Sequence, residues 1–71
     1  MLVDKQTMEQ YTAYVLVDIQ NMYGLSKVAA EKLIKEYNFY NIIRSEPNYV
    51  MHYQPEVWAE KIYQKKSPAT V

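Results

Sequence analysis

The sequence has no cysteine, one glycine (Gly24) and one histidine (His52) among its 71 residues. Without cysteine no disulfide can form, and one histidine with carboxylates is a poor ligand set for zinc. A single glycine cannot build a glycine-rich phosphate loop, and His52 has no carboxylate at a spacing typical of acid–base pairs. These absences predict no catalytic residue, no metal and no cofactor, and hence a protein that is not an enzyme.

The chain also lacks an excess of either charge and any long apolar run. It has eight basic and eight acidic residues, so it lacks the net positive charge that attracts nucleic acids or anionic lipids. The longest apolar run, residues 13–17, falls far short of the roughly 20 residues that span a bilayer. Asp4, Lys5 and Glu9 interrupt the N-terminal region, which argues against a signal peptide. We expect a cytoplasmic protein without membrane contact, and nucleic acid is a disfavoured partner.

Aromatic side chains are what the sequence has in abundance: eight tyrosines, one tryptophan and one phenylalanine. A small domain buries little area, so large side chains must contribute more at each position. The length predicts one helical domain over residues 1–66 and a disordered tail over residues 67–71. With disulfides and a metal excluded, tight helix packing or self-association is the expected supplement to so small a core.

The first half of the chain shows a helical hairpin. Apolar residues recur three or four positions apart in residues 4–23, as one side of a helix requires. These residues are Met8, Tyr11, Val15, Ile19 and Met22. Gly24 is placed to end this helix in the left-handed conformation. Ser26 is a suitable N-cap for a second helix over residues 26–37, which Asn38 ends.

The second half has shorter elements. Residues 39–44 are apolar enough to be a short helix that fills the core, and residues 45–48 indicate a turn. Residues 49–53 are aromatic and β-branched, which predicts an extended segment. Pro55 suits the first position of a last helix that ends at about Lys65. The predicted fold is therefore mostly α: a helical hairpin, a short third helix, a brief extended segment and a C-terminal helix.

The apolar positions predict which side chains form the core. The predicted core consists of Met8, Tyr11, Val15, Ile19, Leu25, Val28, Leu33, Ile42, Trp58 and Ile62. Tyr37 also falls on a core-facing position. The other tyrosines are harder to bury together in so small a domain, so we expect some of them at the surface.

Exposed tyrosines and a second apolar strip on the first helix indicate protein binding. Exposed tyrosine is enriched at interaction hot spots, and the alternative is that these rings pack over the edges of a thin core. The candidate interaction residues are Tyr14, Val17, Tyr40, Tyr49, Tyr53 and Tyr63. Tyr14 and Val17 lie off the main stripe of the first helix, and an open strip there predicts a homodimer with these residues near its two-fold axis.

A helix-turn-helix DNA-binding regulator is the alternative. Residues 23–26 resemble the glycine turn of that motif, with helix 26–37 as the recognition helix. The candidate DNA contacts are Lys27, Lys32, Lys35 and Arg44. Against this, Glu31 and Glu36 lie among the lysines, and Gln20 occupies a position that usually needs a small residue. We therefore favour a non-enzymatic interaction module whose partner is another protein.

The order of these features resembles a family of short bacterial α-helical domains of unknown function, some of them encoded beside candidate toxin genes. The resemblance covers most of residues 8–63. The corresponding segments are Tyr11-Thr12-Ala13-Tyr14-Val15, Leu25-Ser26, Glu36-Tyr37, Asn41-Ile42-Ile43 and Pro55-Glu56-Val57-Trp58. The resemblance implies no catalytic residue. It implies an accessory protein, antitoxin-like or carried by a mobile element, that acts by binding a partner.

Overall fold

The computed structural model describes residues 4–66, and within that range the chain forms five α-helices and no strand. The helices are α1 (Lys5–Tyr23), α2 (Lys27–Tyr37), α3 (Phe39–Ser45), α4 (Pro47–His52) and α5 (Pro55–Lys66). The mostly α fold class is thus confirmed. The predicted tail, residues 67–71, lies outside the described residues.

Local sequence signals place most helix ends where they were predicted. Gly24 ends α1 in the left-handed conformation at φ 66°, and Asn38 ends α2 in the same region at φ 69°. The Ser26 hydroxyl accepts a hydrogen bond from the Ala29 amide at 3.2 Å, as an N-cap should. Pro55 opens α5, where its missing N–H costs no helical hydrogen bond. Each of these ends is determined by the residue at that position.

The predicted extended segment over residues 49–53 is wrong, because most of it belongs to the helix α4. Pro47 opens this helix. The Val50 carbonyl near its end, and the Tyr53 carbonyl just after it, accept hydrogen bonds from side chains of α1 and α5. The Tyr11 hydroxyl donates to the Val50 oxygen at 3.1 Å and to the Tyr53 oxygen at 2.6 Å. The Trp58 Nε1–H donates to the same Val50 oxygen at 2.8 Å. These bonds tie the end of α4 to α1 and α5, so tertiary contacts override the β propensity.

One apolar core draws side chains from all five helices. It consists of Tyr11, Val15, Ile19, Ala30, Leu33, Ile34, Phe39, Ile43, Val50, Trp58, Ala59 and Ile62. Of the predicted core residues, Met8, Leu25 and Ile42 are partly buried and pack against this cluster. Val28 is a wrong prediction, since its side chain is 76% exposed. It lies two positions before the buried Ala30, which places it on the opposite side of α2.

Helix α1 is the longest element, and the other helices pack on it unequally. Its most extensive contact is with α5, followed by α2. At one end of the α1–α5 contact the rings of Tyr23 and Tyr63 stack, with centroids 3.7 Å apart and planes 4° from parallel. Contact between α1 and α3 is much less extensive. The packing therefore leaves two surfaces of α1 uncovered, its outer side and the side toward α3.

Candidate functional site

The outer side of α1 carries four exposed residues without charge: Gln10, Tyr14, Val17 and Asn21. Their spacing of four, three and four residues puts them on one line, which we call the α1 outer stripe. Tyr14 is 57% exposed and Val17 is 46% exposed. In residues 10–26 the one charged side chain is that of Asp18, and it is half-buried. The stripe is therefore a neutral, partly apolar surface along the longest helix.

The rest of the described chain does not cover this stripe. Helix α5 does pack on α1, but Trp58, Ala59 and Ile62 are buried together with Tyr11 and Val15 on the inner side of α1. Tyr14 and Val17 consequently stay in contact with solvent. The condition from which a homodimer was predicted, an open second strip on α1, is met.

A second group of aromatic residues lies at the junction of α4 and α5. Tyr49, His52 and Tyr53, which we call the aromatic corner, are all exposed. The Tyr49 and Tyr53 rings meet edge to face at 5.8 Å, and both lie against the buried Trp58 ring, at 6.0 and 6.5 Å. The corner is thus an exposed aromatic layer resting on a core tryptophan.

The remaining two candidate interaction residues lie elsewhere. Tyr63 is half-buried by its stack on Tyr23, so much of its ring is occupied within the chain. Tyr40 is exposed at the side of α3 that faces α1. The six predicted residues are therefore divided among three surfaces and one internal stack, and the structure does not bring them into a single site.

The space between α1 and α3 is a groove of about 780 Å³ that sequence reasoning missed. Six residues define this α1–α3 groove: Met8, Thr12, Leu16, Tyr40, Ile43 and Arg44. Lys5 and Glu9 lie at its rim and approach each other to 4.0 Å. The spacing of Met8, Thr12 and Leu16, four residues apart, was the available signal. It could not reveal a groove because α3 had no predicted position relative to α1.

The four candidate DNA contacts are all exposed, but they do not all line the same surface. Lys27, Lys32 and Lys35 lie on α2, with Glu36 exposed on the same helix. Arg44 donates a hydrogen bond to the Asn41 side chain and lines the α1–α3 groove, which none of the three lysines does. The outer side of α2 is a surface of mixed charge.

Burial raises the pKa of two tyrosine hydroxyls, those of Tyr11 and Tyr23. Burial, and secondarily the negative charge of Asp18, raises the pKa of Tyr11 to about 12. Burial also raises the pKa of Tyr23, with smaller contributions from Glu60 and Tyr63. Both hydroxyls therefore stay protonated in ordinary buffers. Tyr11 acts as a hydrogen-bond donor inside the fold rather than as a reactive group.

Within residues 4–66 no group of three or more histidine, cysteine, aspartate or glutamate side chains could hold a metal ion. Within the same range no helix has the length and apolarity that crossing a membrane requires. His52 is exposed and contacts the Tyr53 ring edge to face at 5.0 Å, so its visible contact is aromatic packing.

Comparison of the chain with protein-family models, with curated proteins and with solved structures gave no match. The resemblance to short bacterial helical domains therefore stays a prediction. Any function must be argued from the surfaces described above.

Proposed function

We propose that this chain is a non-enzymatic protein-interaction module that forms a homodimer through the α1 outer stripe. The observation that carries the proposal is the exposure of Tyr14 and Val17 on a stripe without charge. Binding surfaces are enriched in tyrosine and depleted of lysine, glutamate and aspartate at their centre. The stripe has that composition, whereas the outer side of α2 does not.

The size of the α1 outer stripe limits the strength of self-association that we expect. From Gln10 to Asn21 the helix rises about 16 Å, so four side chains cover a small patch compared with the roughly 800 Å² per partner of a standard interface. Two copies of α1 related by a two-fold axis would place Tyr14 and Val17 against their counterparts. We expect reversible association in the micromolar range, not an obligate dimer.

A binding role in the cytoplasm, in which the protein docks on another protein and occludes it, is the activity we propose beyond self-association. An antitoxin-like or mobile-element accessory protein of a bacterium works in this way. The aromatic corner supports this role, because the exposed rings of Tyr49 and Tyr53 pack against the buried Trp58 ring. Rigid aromatic groups contribute binding surface at low entropic cost.

The decisive measurement for the dimer is the solution mass over concentrations from about 1 μM to about 1 mM. Wild type should pass from monomer to dimer, and the double substitution Tyr14→Glu, Val17→Glu should stay monomeric, because it places four carboxylates at the axis. Val28→Glu is the matched control, since Val28 is an exposed valine on α2. It should dimerise like wild type. A monomeric wild type, or a double variant that still dimerises, would contradict the proposal.

The alternative, a DNA-binding regulator that uses α2, rests on the three-residue connection between α1 and α2 and on three exposed lysines. Glu36 on the same helix weakens the attraction to phosphates, and the net charge is zero. Retention on heparin at low salt tests this DNA-binding hypothesis. If α2 binds DNA, Lys32→Glu with Lys35→Glu should abolish retention. We expect wild type to pass through unretained.

A further inference from the structure

We propose that the α1–α3 groove binds an amphipathic helix of another protein, with an acidic residue of that helix against Arg44. The proposal shares with the previous one the role of an interaction module, but it uses a different side of α1 and does not depend on the dimer. Its basis is the shape, the lining and the charge of the groove.

The groove has a length and a shape that fit a helix. Met8, Thr12 and Leu16 follow one line along α1 over about 12 Å, or roughly two helical turns. Tyr40 and Ile43 of α3 form the opposite wall. Side chains at positions i, i+3 or i+4, and i+7 of an incoming helix match a groove of this length, as in other helix-in-groove complexes. The sparse contact between α1 and α3 leaves the groove open to solvent along that line.

The lining favours an apolar helix side over a small polar ligand. Ile43 and Thr12 are buried, and Met8 and Leu16 are half-buried. The Thr12 hydroxyl already donates to the Met8 carbonyl at 2.9 Å, so the floor offers no spare donor to orient a polar head group. The charged groups of the groove, Lys5, Glu9 and Arg44, are exposed, so they would meet the flanks of a helix rather than its buried side.

A second folded copy of this chain is a poor fit. Each of the five helices gives its apolar side to its own core. Tyr14 and Val17 stand on the uncharged α1 outer stripe, which offers no carboxylate to a basic rim. We therefore expect the occupant to be a free amphipathic helix of another protein.

The charge at the rim of the groove determines which sign of charge is favoured on the helix that binds. Lys5 and Glu9 compensate each other at 4.0 Å. Within residues 4–66 no carboxylate lies within 4.0 Å of the Arg44 guanidinium, whose side-chain partner is the neutral Asn41. The uncompensated charge at the groove is positive, so it favours an acidic residue on the helix that binds.

Two synthetic helical peptides test the proposal. Both carry leucine at i, i+4 and i+7, and they differ only in having glutamate or lysine beside that stripe. Titration into the protein, followed by backbone amide NMR shifts, should perturb Met8, Leu16 and Ile43. The glutamate peptide should bind about tenfold more tightly than the lysine peptide, the size expected for one charge-assisted contact.

Variants of the protein make the test specific. Arg44→Glu should reverse the preference between the two peptides, whereas Lys32→Glu, the same charge reversal on α2, should leave it unchanged. Leu16→Glu should abolish binding. Because Leu16 packs partly against the core, Tyr40→Ala serves as a second variant that disturbs an exposed side chain only. Its matched control is Tyr49→Ala at the aromatic corner.

Several results would overturn the groove proposal. These are no perturbation up to about 1 mM peptide, equal affinity for the two peptides, or shifts confined to the aromatic corner. A change in the solution mass of the free protein on Leu16→Glu would make the groove an interface between copies instead. Tyr14→Glu with Val17→Glu should retain peptide binding, so failure of the dimer and failure of the groove are distinguishable.

Discussion

Tyr11 and Tyr14 are three residues apart on the same helix and have opposite environments. The Tyr11 side chain is 8% exposed, and its hydroxyl donates to two carbonyls of the α4 segment. The Tyr14 side chain is 57% exposed and belongs to the uncharged α1 outer stripe. The inner side of α1 therefore contributes to stability, whereas the outer side is free to bind. Substitutions on the two sides should separate these contributions.

The largest effect is expected at the centre of the inner side. Trp58→Ala removes a buried ring that meets Phe39 edge to face at 5.6 Å, and it removes the Nε1 hydrogen bond to Val50. The loss of packing should lower the free energy of unfolding by about 3–5 kcal/mol. Urea denaturation followed by circular dichroism measures it. A loss below about 1 kcal/mol would mean that the ring is peripheral to the core.

Removing one hydroxyl from each tyrosine compares the two sides of α1 directly. Tyr11→Phe leaves the Tyr53 carbonyl without its side-chain donor, and we expect a loss of about 1–3 kcal/mol. Tyr14→Phe removes a solvated hydroxyl and should change the free energy of unfolding by less than about 0.5 kcal/mol. Both values come from the same denaturation experiment. Equal losses would break the comparison between the inner and outer sides.

Alkaline pH provides a second test of the buried inner side of α1. Folding raises the pKa of Tyr11 from 10.0 to about 12, which means that the fold favours the protonated phenol. This stabilisation is complete below pH 10 and is lost as the pH rises through about 12. The melting temperature should therefore fall across this window, and it should fall less steeply in Tyr11→Phe. Burial also raises the pKa of Tyr23, so Tyr23 should contribute a fall in the same direction.

The smallest effect on the free energy of unfolding is expected for substitutions in the α1 outer stripe. Tyr14→Ala and Val17→Ser should each alter the monomer's free energy of unfolding by less than about 0.5 kcal/mol. Both should still weaken self-association. Thermal unfolding at low protein concentration measures the first effect, and solution mass at high concentration measures the second. A variant that destabilises the monomer would show that the stripe contributes to the fold rather than to a partner surface.

The sequence predicted those parts of the fold that local residues determine, and it failed where contacts from other helices determine the structure. Gly24, Ser26 and Asn38 set helix ends through their own backbone or side chain, and their roles were predicted. Residues 49–53 were misassigned because the donors that stabilise α4 come from Tyr11 and Trp58, which no local pattern connects to that segment.

The candidate site was less predictable than the fold. Exposure of Tyr14 and Val17 followed from helical spacing, because they lie off the main apolar stripe of one long helix. The α1–α3 groove depends on how far two helices diverge, and residue spacing within either helix carries no such information. The position of Arg44 beside α1, in place of a cluster with the α2 lysines, is a result of the same packing.

The dependence of α4 on distant donors has a consequence for the order of folding. An isolated helix shorter than about 12–15 residues is marginal in water, and α4 has six. The carbonyls of Val50 in α4 and of Tyr53 just after it pair with Tyr11, which lies 39 and 42 residues earlier in the chain, so these bonds form only after α1 has docked. Loop closure over that separation makes such contacts late events. The aromatic corner is built on this helix, so a partner that binds Tyr49 and Tyr53 would recognise only chains that have completed folding.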